Sequence, residues 1–297
     1  MPSSVEIVEV GPRDGLQDEQ QPVSTADKIA FVEASARAGI RRVEVASFVN
    51  PRRVPQMADA EAVIAGLDGT GVDAIGLVLN ERGLDRALAT GIREINTVVI
   101  VTDTFSRENQ GMSTADAISM WQVVSSRARR AGIRAGVTLS AAFGCPFEGR
   151  VKAAHVRAVA EMVAEGADEI SLADTIGSAV PTQTEDLVSL VAAATGKPIR
   201  VHLHNSRSSG LANAVGALLG GATALDASTG GIGGCPFAPA ATGNIATEDL
   251  VAMLDGMGVA TGIDLEILLE TVADVERMIG YTAPGMLGKA GIFPRRR

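Results

Sequence analysis

Apolar, largely β-branched runs alternate with Ala- and Leu-rich stretches from one end of the chain to the other. The runs Val5–Val10, Arg42–Ala46, Val72–Leu79, Ile95–Val101, Ala135–Ser140, Glu169–Leu172, Arg200–His204 and Ala224–Ser228 read as strands. Their near-continuous apolar character suits parallel strands covered on both faces. Between them, Thr25–Ala38, Ala58–Ala65, Leu84–Ala89, Ala115–Arg130, Ala153–Glu165, Glu185–Ala194, Leu211–Leu219 and Glu248–Leu254 read as helices, and Asp264–Ile279 as one more after the eighth unit. Gly39, Gly91, Gly132 and Gly166 stand where a helix-stop signal is expected. Eight strand–helix units predict an α/β protein, a (β/α)8 TIM barrel with an additional C-terminal helix. A doubly wound sheet is the competing arrangement. The turn after its first strand should then carry a glycine-rich dinucleotide fingerprint, and here it reads Gly11-Pro12-Arg13-Asp14-Gly15.

No Pro/Gly/Ser linker or shift in composition divides the chain, so residues 1–297 read as one domain, a length that barrels commonly take. Aromatics make up 3% of the residues, leaving Ala, Val, Leu and Ile to fill the core. A net charge of −9 argues against sequence-independent nucleic-acid binding, which needs a basic surface. No apolar run approaches the roughly 18 residues of a membrane span. A strand pattern begins within a few residues of Met1, which leaves no room for a targeting segment. Cys145 and Cys235 are too few for a disulfide framework, so a reduced, cytoplasmic protein is expected. Basic residues for a phosphorylated ligand are readable only by charge and loop position, at Arg52, Arg53 and Arg107, and a solvated face is the expected role of each. A homodimer is the default assembly.

Catalytic groups of such a barrel sit at the C-terminal ends of its strands. Those positions hold Arg13 and Asp14 after the first strand, Glu44 and Ser47 on the second, Asp174 after the sixth, His202 and His204 on the seventh, and Cys235 and Asn244 beyond the eighth. His202 and His204 are two apart on a strand, so both imidazoles face one way and can reach one ion. Spacing alone serves two core histidines bonded to carbonyls equally well. With Asp14 and Asn244 the set becomes two nitrogens and two oxygens, which suits Mg2+ or Mn2+, with Zn2+ also compatible. Glu44 lies in an otherwise apolar strand, where an unpaired carboxylate is costly. Arg13 is its expected partner, either as a brace or as an arginine held to meet an oxyanion. Cys235 follows the glycine-rich Gly230-Gly231-Ile232-Gly233-Gly234 and is either a proton donor on a moving loop or a small residue in a turn. Cys145 is expected to be structural and His155 to lie on the surface.

Taken together, Val8-Glu9-Val10-Gly11-Pro12-Arg13-Asp14-Gly15-Leu16-Gln17 resembles the opening signature of hydroxymethylglutaryl-CoA lyases, of the DRE-TIM metallolyase superfamily. The likeness continues through Val43–Val49 and Val54-Pro55-Gln56-Met57, then Gly144–Gly149 and Ser171–Gly177. It ends with Gly233–Ala238 and Thr242–Leu250, and so covers essentially the whole chain. The resemblance implies a divalent metal held by Asp14, His202, His204 and Asn244. Arg13 would stabilise an enolate oxygen, Asp174 and His202 would transfer protons, and Cys235 would act as an acid, with Glu44 and Glu248 in support. The implied reaction is retro-Claisen cleavage of a 3-hydroxyacyl-CoA thioester, giving acetyl-CoA and acetoacetate from hydroxymethylglutaryl-CoA. The alternatives are a lyase for another branched thioester of the citramalyl-CoA kind or, further off, a superfamily aldolase or condensing enzyme. Condensing enzymes usually open with Arg-Asp-Gly-Glu-Gln, where this chain has Leu16. A non-catalytic metal- or CoA-binding scaffold fits the full residue set poorly. One segment departs: Asn205-Ser206-Arg207-Ser208-Ser209 replaces the family's Asp-Thr-Tyr-Gly-Gln, and Arg207 is expected to bear on the choice of substrate.

Overall fold

Each strand hands the chain to a helix that returns it to the starting edge of the next parallel strand, and eight such units close a cylinder. A computed structural model describes residues 1–234 and 243–293. Its barrel strands are β1 (Glu6–Glu9), β2 (Arg42–Ser47), β3 (Asp73–Leu77), β4 (Glu94–Ile100), β5 (Arg134–Ser140), β6 (Glu169–Asp174), β7 (Ile199–Leu203) and β8 (Ala224–Ala227). They pair in the order β1-β8-β7-β6-β5-β4-β3-β2, all parallel, and Glu6–Glu9 lies in register with Ala224–Ala227 to seal the ring. The helices are α1 (Thr25–Arg37), α2 (Ala60–Ala65), α3 (Glu81–Ala89), α4 (Asp103–Gln110), α5 (Thr114–Arg130), α6 (Ala153–Val163), α7 (Pro181–Thr195), α8 (Gly210–Leu219), α9 (Thr247–Gly256), α10 (Leu265–Ile279) and α11 (Leu287–Ala290).

The barrel and the added helix α10 are as expected from the pattern. Helices α4 and α11 are additions. The sequence of α4, Asp-Thr-Phe-Ser-Arg-Glu-Asn-Gln, carries too few apolar residues to show a stripe. Helix α7 begins at Pro181, ahead of the apolar positions that announce it, because proline suits a first turn with no N–H to give.

The main core lies between strands and helices, where Val43, Ile95, Val137, Ile170 and Val201 face outward onto Leu84, Trp121 and Val188. Trp121 satisfies its indole N–H on the Val163 carbonyl at 2.9 Å, so it is buried at no polar cost. The barrel interior is different. Arg42 and Glu44, Glu94 and Asn96, Glu169 and Ser171, and Arg200 and His202 are buried or nearly so at period two. The strands are therefore not apolar on both faces, as their composition suggested. Arg42 holds Glu6 at 2.6 Å, Glu94 at 2.6 Å and Glu169 at 2.9 Å, while Arg134 reaches Glu169 at 3.2 Å. Each charge in this base layer has a partner, and removing one side of a pair buried on both sides, Arg42 with Glu94 or Glu169, costs about 3–5 kcal/mol. Among the described residues no helix is long and apolar enough to cross a membrane.

Candidate active site at the barrel mouth

Strand β1 ends in one π-helical turn, Gly11–Gly15, in which the Val10 carbonyl accepts from the N–H of Arg13, Asp14 and Gly15. Such turns recur at functional sites because the extra residue re-aims the side chains that follow. A Cβ on Gly11 would stand 2.6 Å from Glu9 Oε1 and 2.7 Å from the Phe31 ring, so only glycine lets the turn start there. The turn brings two successive charged residues, Arg13 and Asp14, to the mouth together.

Arg13 donates from Nε to Glu44 Oε1 and from Nη1 to Asp14 Oδ1 at 2.7 Å. Glu44 is buried, and its Oε2 accepts from Asn96 Nδ2 at 3.3 Å; Asn96 in turn donates to Thr138 Oγ1 at 2.9 Å. The β2 register shifts between Glu44 and Ala46, a bulge of the sort found beside active sites. The pairing of Glu44 with Arg13, expected from the sequence, is thus formed. Burial works against the guanidinium charge, but Glu44 and Asp14 outweigh it and Arg13 is held firmly protonated.

Asp14, His202 and His204 place one ligand atom each within 4.8 Å of one another. His202 Nε2 stands 4.0 Å from Asp14 Oδ2, which also accepts from Asn244 Nδ2 at 2.9 Å. Asn244 is brought in by backbone pairing. It forms an antiparallel bridge with His204, flanked by Asn205 N–H to the Gly243 carbonyl at 3.0 Å and Ile245 N–H to that of Leu203 at 3.1 Å. Gly233, at φ +97°, lets the preceding loop pass close by: a Cβ there would meet Asn244 Nδ2 at 2.8 Å and Gly15 Cα at 2.9 Å.

The electrostatics favour a cation. Burial would raise the Asp14 carboxyl, but Arg13, the two imidazoles and Asn244 overcome it and hold the carboxylate well below its usual range. Burial, followed by the neighbouring His202, pushes His204 down to about 4, so it is a neutral imidazole. Asn244 faces the His204 ring and works against this shift, but His204 Nδ1 and Asn244 Oδ1 are buried without a well-formed hydrogen bond. Two under-bonded polar groups beside an ionised carboxylate fit a bound divalent cation, which needs deprotonated ligands.

Arg13, Asp14, Glu44, His202 and His204 line a cavity of about 580 Å3, together with Asn96, Thr138, Ser140 and Asp226. Asp226 was not singled out from the sequence. Its signal was present, a charge in the apolar strand Ala224–Ala227, as Glu44 is in β2. It lies in register with His202 and places Oδ2 3.2 Å from Nδ1 of that ring.

Asp174, expected to transfer protons, stands apart. Ala173 and Thr175 line the cavity and Asp174 does not, since it falls on the outward parity of β6 with Ile170 and Leu172. Its carboxylate accepts from the N–H groups of Ser178 at 2.8 Å and Ala179 at 2.9 Å, tying down the loop before α7, and burial raises its pKa. Arg207 also misses the cavity. It donates to the carbonyls of Ile176 at 2.7 Å and Gly177 at 2.9 Å, so the departing segment clamps the β6–α7 loop instead of facing the site. Glu248 is buried behind the mouth, where Oε2 accepts from Gly230 N–H at 2.9 Å, and burial raises its pKa to about 7. Of the candidate basic residues, Arg53 lines the cavity, Arg52 is exposed and Arg107 pairs with Asp103 on α4. Cys145 is buried under the Thr102 hydroxyl, and His155 bonds the Val101 carbonyl from an exposed helix face. Cys235 lies outside the described residues.

Residues 4–275 match the family model described as HMGL-like. The chain belongs to the HMGL-like family. It is 42% identical to the (R)-citramalyl-CoA lyase of Chloroflexus aurantiacus, over 98% of this chain and 96% of that one. It is 41% identical to a hydroxymethylglutaryl-CoA lyase of Bacillus subtilis, over 95% and 96% of the two chains. A solved hydroxymethylglutaryl-CoA lyase of Acinetobacter baumannii, in complex with coenzyme A and 3-methylmalate, superposes with a TM-score of 0.94 at 35% identity, covering 99% of this chain and 97% of that one. The HMGL-like chain is accordingly a carbon–carbon lyase built on a TIM barrel.

Proposed function

We propose that this protein is a divalent-metal-dependent lyase that cleaves hydroxymethylglutaryl-CoA to acetyl-CoA and acetoacetate. The observation that carries the reading is the convergence of Asp14, His202 and His204 on one point, with Asn244 beside them and Arg13 braced at its edge. The hydroxyl-bearing carbon of such a substrate has no hydrogen to lose, so oxidation is closed. Its carbon–carbon bond breaks when the hydroxyl gives up its proton and the acetyl fragment departs as a thioester enolate. A divalent cation, Mg2+ or Mn2+ on this donor set, supplies Lewis-acid polarisation of the substrate's hydroxyl and carboxylate oxygens.

Arg13 offers the enolate oxygen a fixed positive charge at no cost in reorganisation, because Glu44 and Asp14 already orient it. Proton removal does not fall to Asp174, whose carboxylate is committed to the loop backbone. Asp226 occupies His202 Nδ1, so Nε2 is the nitrogen left to hold the cation, and a ring bound there has no lone pair for the hydroxyl proton. Protonation of the enolate carbon is assigned to Cys235; Gly234, immediately before it in the chain, lines the cavity. The acyl-CoA thioester enters the open mouth past Arg53. A cytoplasmic homodimer completes the reading, resting on composition and on the default assembly.

The second reading is (R)-citramalyl-CoA, favoured by the 42% identity to a lyase of that name. The two substrates share the bond that breaks and differ by one methylene between carboxylate and carbinol. One experiment tests both: each thioester is incubated with the purified protein with and without chelator, and acetoacetate and pyruvate are measured. Chelator-sensitive acetoacetate release is expected. Cleavage indifferent to chelator removes the metal, and dominant pyruvate release moves the substrate to citramalyl-CoA.

A further inference from the structure

If the metal reading holds, the surroundings of His202 decide which ring nitrogen can serve the cation. A neutral imidazole has one nitrogen that donates and one that accepts, and only the accepting nitrogen can hold a cation. Which one accepts is decided by what the other touches. Here the other touches Asp226.

Asp226 on β8 and His202 on β7 are register partners, and both face the barrel interior. The two oxygens of Asp226 face different partners. Oδ2 lies 3.2 Å from His202 Nδ1, and Oδ1 lies 3.5 Å from Nε of Arg200, an ion pair with no hydrogen bond formed. Arg200 is 1% exposed and stands 3.3 Å from Glu169, which Arg42 grips at 2.9 Å. A line of alternating charge therefore runs from the base layer to the mouth: Arg42, Glu169, Arg200, Asp226, His202. A guanidinium only donates, so the Arg200 side of Asp226 must present an acceptor. We propose that Asp226, charge-paired with Arg200, is a positioning residue that fixes His202 as the Nδ1–H tautomer and turns the Nε2 lone pair toward Asp14, where the cation binds.

A residue that only neutralises Arg200 would sit in the same place, and the two roles part at Asp226→Asn. The asparagine is isosteric, and the Arg200 charge favours its oxygen on that side, which leaves its NH2 against His202. Nδ1 then has to accept, the ring proton moves to Nε2, and the ligand is blocked. Asp226→Ala instead leaves the ring free to choose.

The test is a titration of Mn2+ into each protein without thioester, with free Mn2+ read by electron paramagnetic resonance. Loss of an outer partner of a metal-bound histidine costs about 10- to 100-fold in affinity, and Asp226→Asn should lose at least as much as Asp226→Ala. Alongside it, nitrogen-15 histidine spectra of the metal-free proteins in mildly alkaline buffer report the tautomer directly, helped by there being three histidines in the chain. Wild type should show a protonated Nδ1 at His202, and Asp226→Asn a protonated Nε2. The proposal is overturned by a wild-type His202 protonated on Nε2, or by an Asp226→Asn protein that binds Mn2+ within about twofold of wild type. If Asp226→Asn does not fold, the wild-type spectrum decides alone. Wild type failing to bind Mn2+ would instead end the metal reading, so the two failures are distinct.

Discussion

Glu44 holds Arg13 by Nε while Asp14 takes Nη1 at 2.7 Å, which leaves Nη2 with no hydrogen bond to any described residue. Two acceptors on two edges determine the plane of the guanidinium. The remaining donor is then aimed by geometry and not by its own flexibility. A single carboxylate partner would have left the group free to swing about that contact.

Arg13→Gln should therefore lower kcat by about 10²–10³, the usual effect of losing one oxyanion donor, with KM and Mn2+ affinity little changed. Glu44→Gln keeps the arginine but weakens its anchor, and a smaller fall, about tenfold, is expected. Steady-state kinetics on hydroxymethylglutaryl-CoA separate the two. Near-normal turnover in Arg13→Gln would contradict the role given to it.

Metal removal should abolish activity, and Mn2+ or Mg2+ should restore it. Asp14→Asn replaces an ionised ligand by a neutral one beside Arg13, so its Mn2+ affinity should fall by at least about tenfold. Calorimetry with Mn2+ alone measures this without reference to turnover. Unaltered binding in Asp14→Asn would show that the cation sits elsewhere.

Asp174→Asn should act on stability. The carboxylate now accepts two backbone N–H groups, and an amide that turns its NH2 toward either leaves a buried donor unpaired, at about 1–3 kcal/mol. A lower Tm is expected, with the shape of the pH profile of kcat/KM retained. Loss of the acid limb of that profile would return Asp174 to the chemistry.

Glu248 makes stability fall with rising pH. Its folded pKa, raised to about 7 by burial, lies above the ordinary value of 4.5, so between these limits the folded state binds more protons than the unfolded one. The slope of unfolding free energy against pH is then negative for this group. Its contribution is fully present below about 4.5 and lost as pH rises through about 7. Glu248→Gln cannot ionise, so its Tm relative to wild type should rise between pH 5 and pH 8, by about 2 °C or more. A difference in Tm that stays constant over that range would place the charge elsewhere.

Much of the site was legible because its signals are local. Arg13 and Asp14 are neighbours on one turn, His202 and His204 share a strand face by period two, and Glu44 stands out as a charge among apolar residues. Asp226 carried the same kind of signal as Glu44 and was passed over beside the more conspicuous histidines. Asp174 was placed by its nearness to a strand end, although counting back along Ala173, Leu172 and Ser171 puts it on the outward face. Helix α4 was missed because a helix half exposed by its polarity leaves little periodic trace.

The order of strands and helices, the alternation that closes a barrel and the shared face of the paired histidines all followed from the sequence by itself, because each depends on spacing within a few residues. Only the tertiary structure decided that Asn244 reaches Asp14 from 230 residues away, that Asp226 lies opposite His202, and that Arg207 clamps the β6–α7 loop. Those contacts depend on strand register around the closed ring and on the course of loops between its ends. No short-range pattern encodes either one, since both are settled by how distant segments pack.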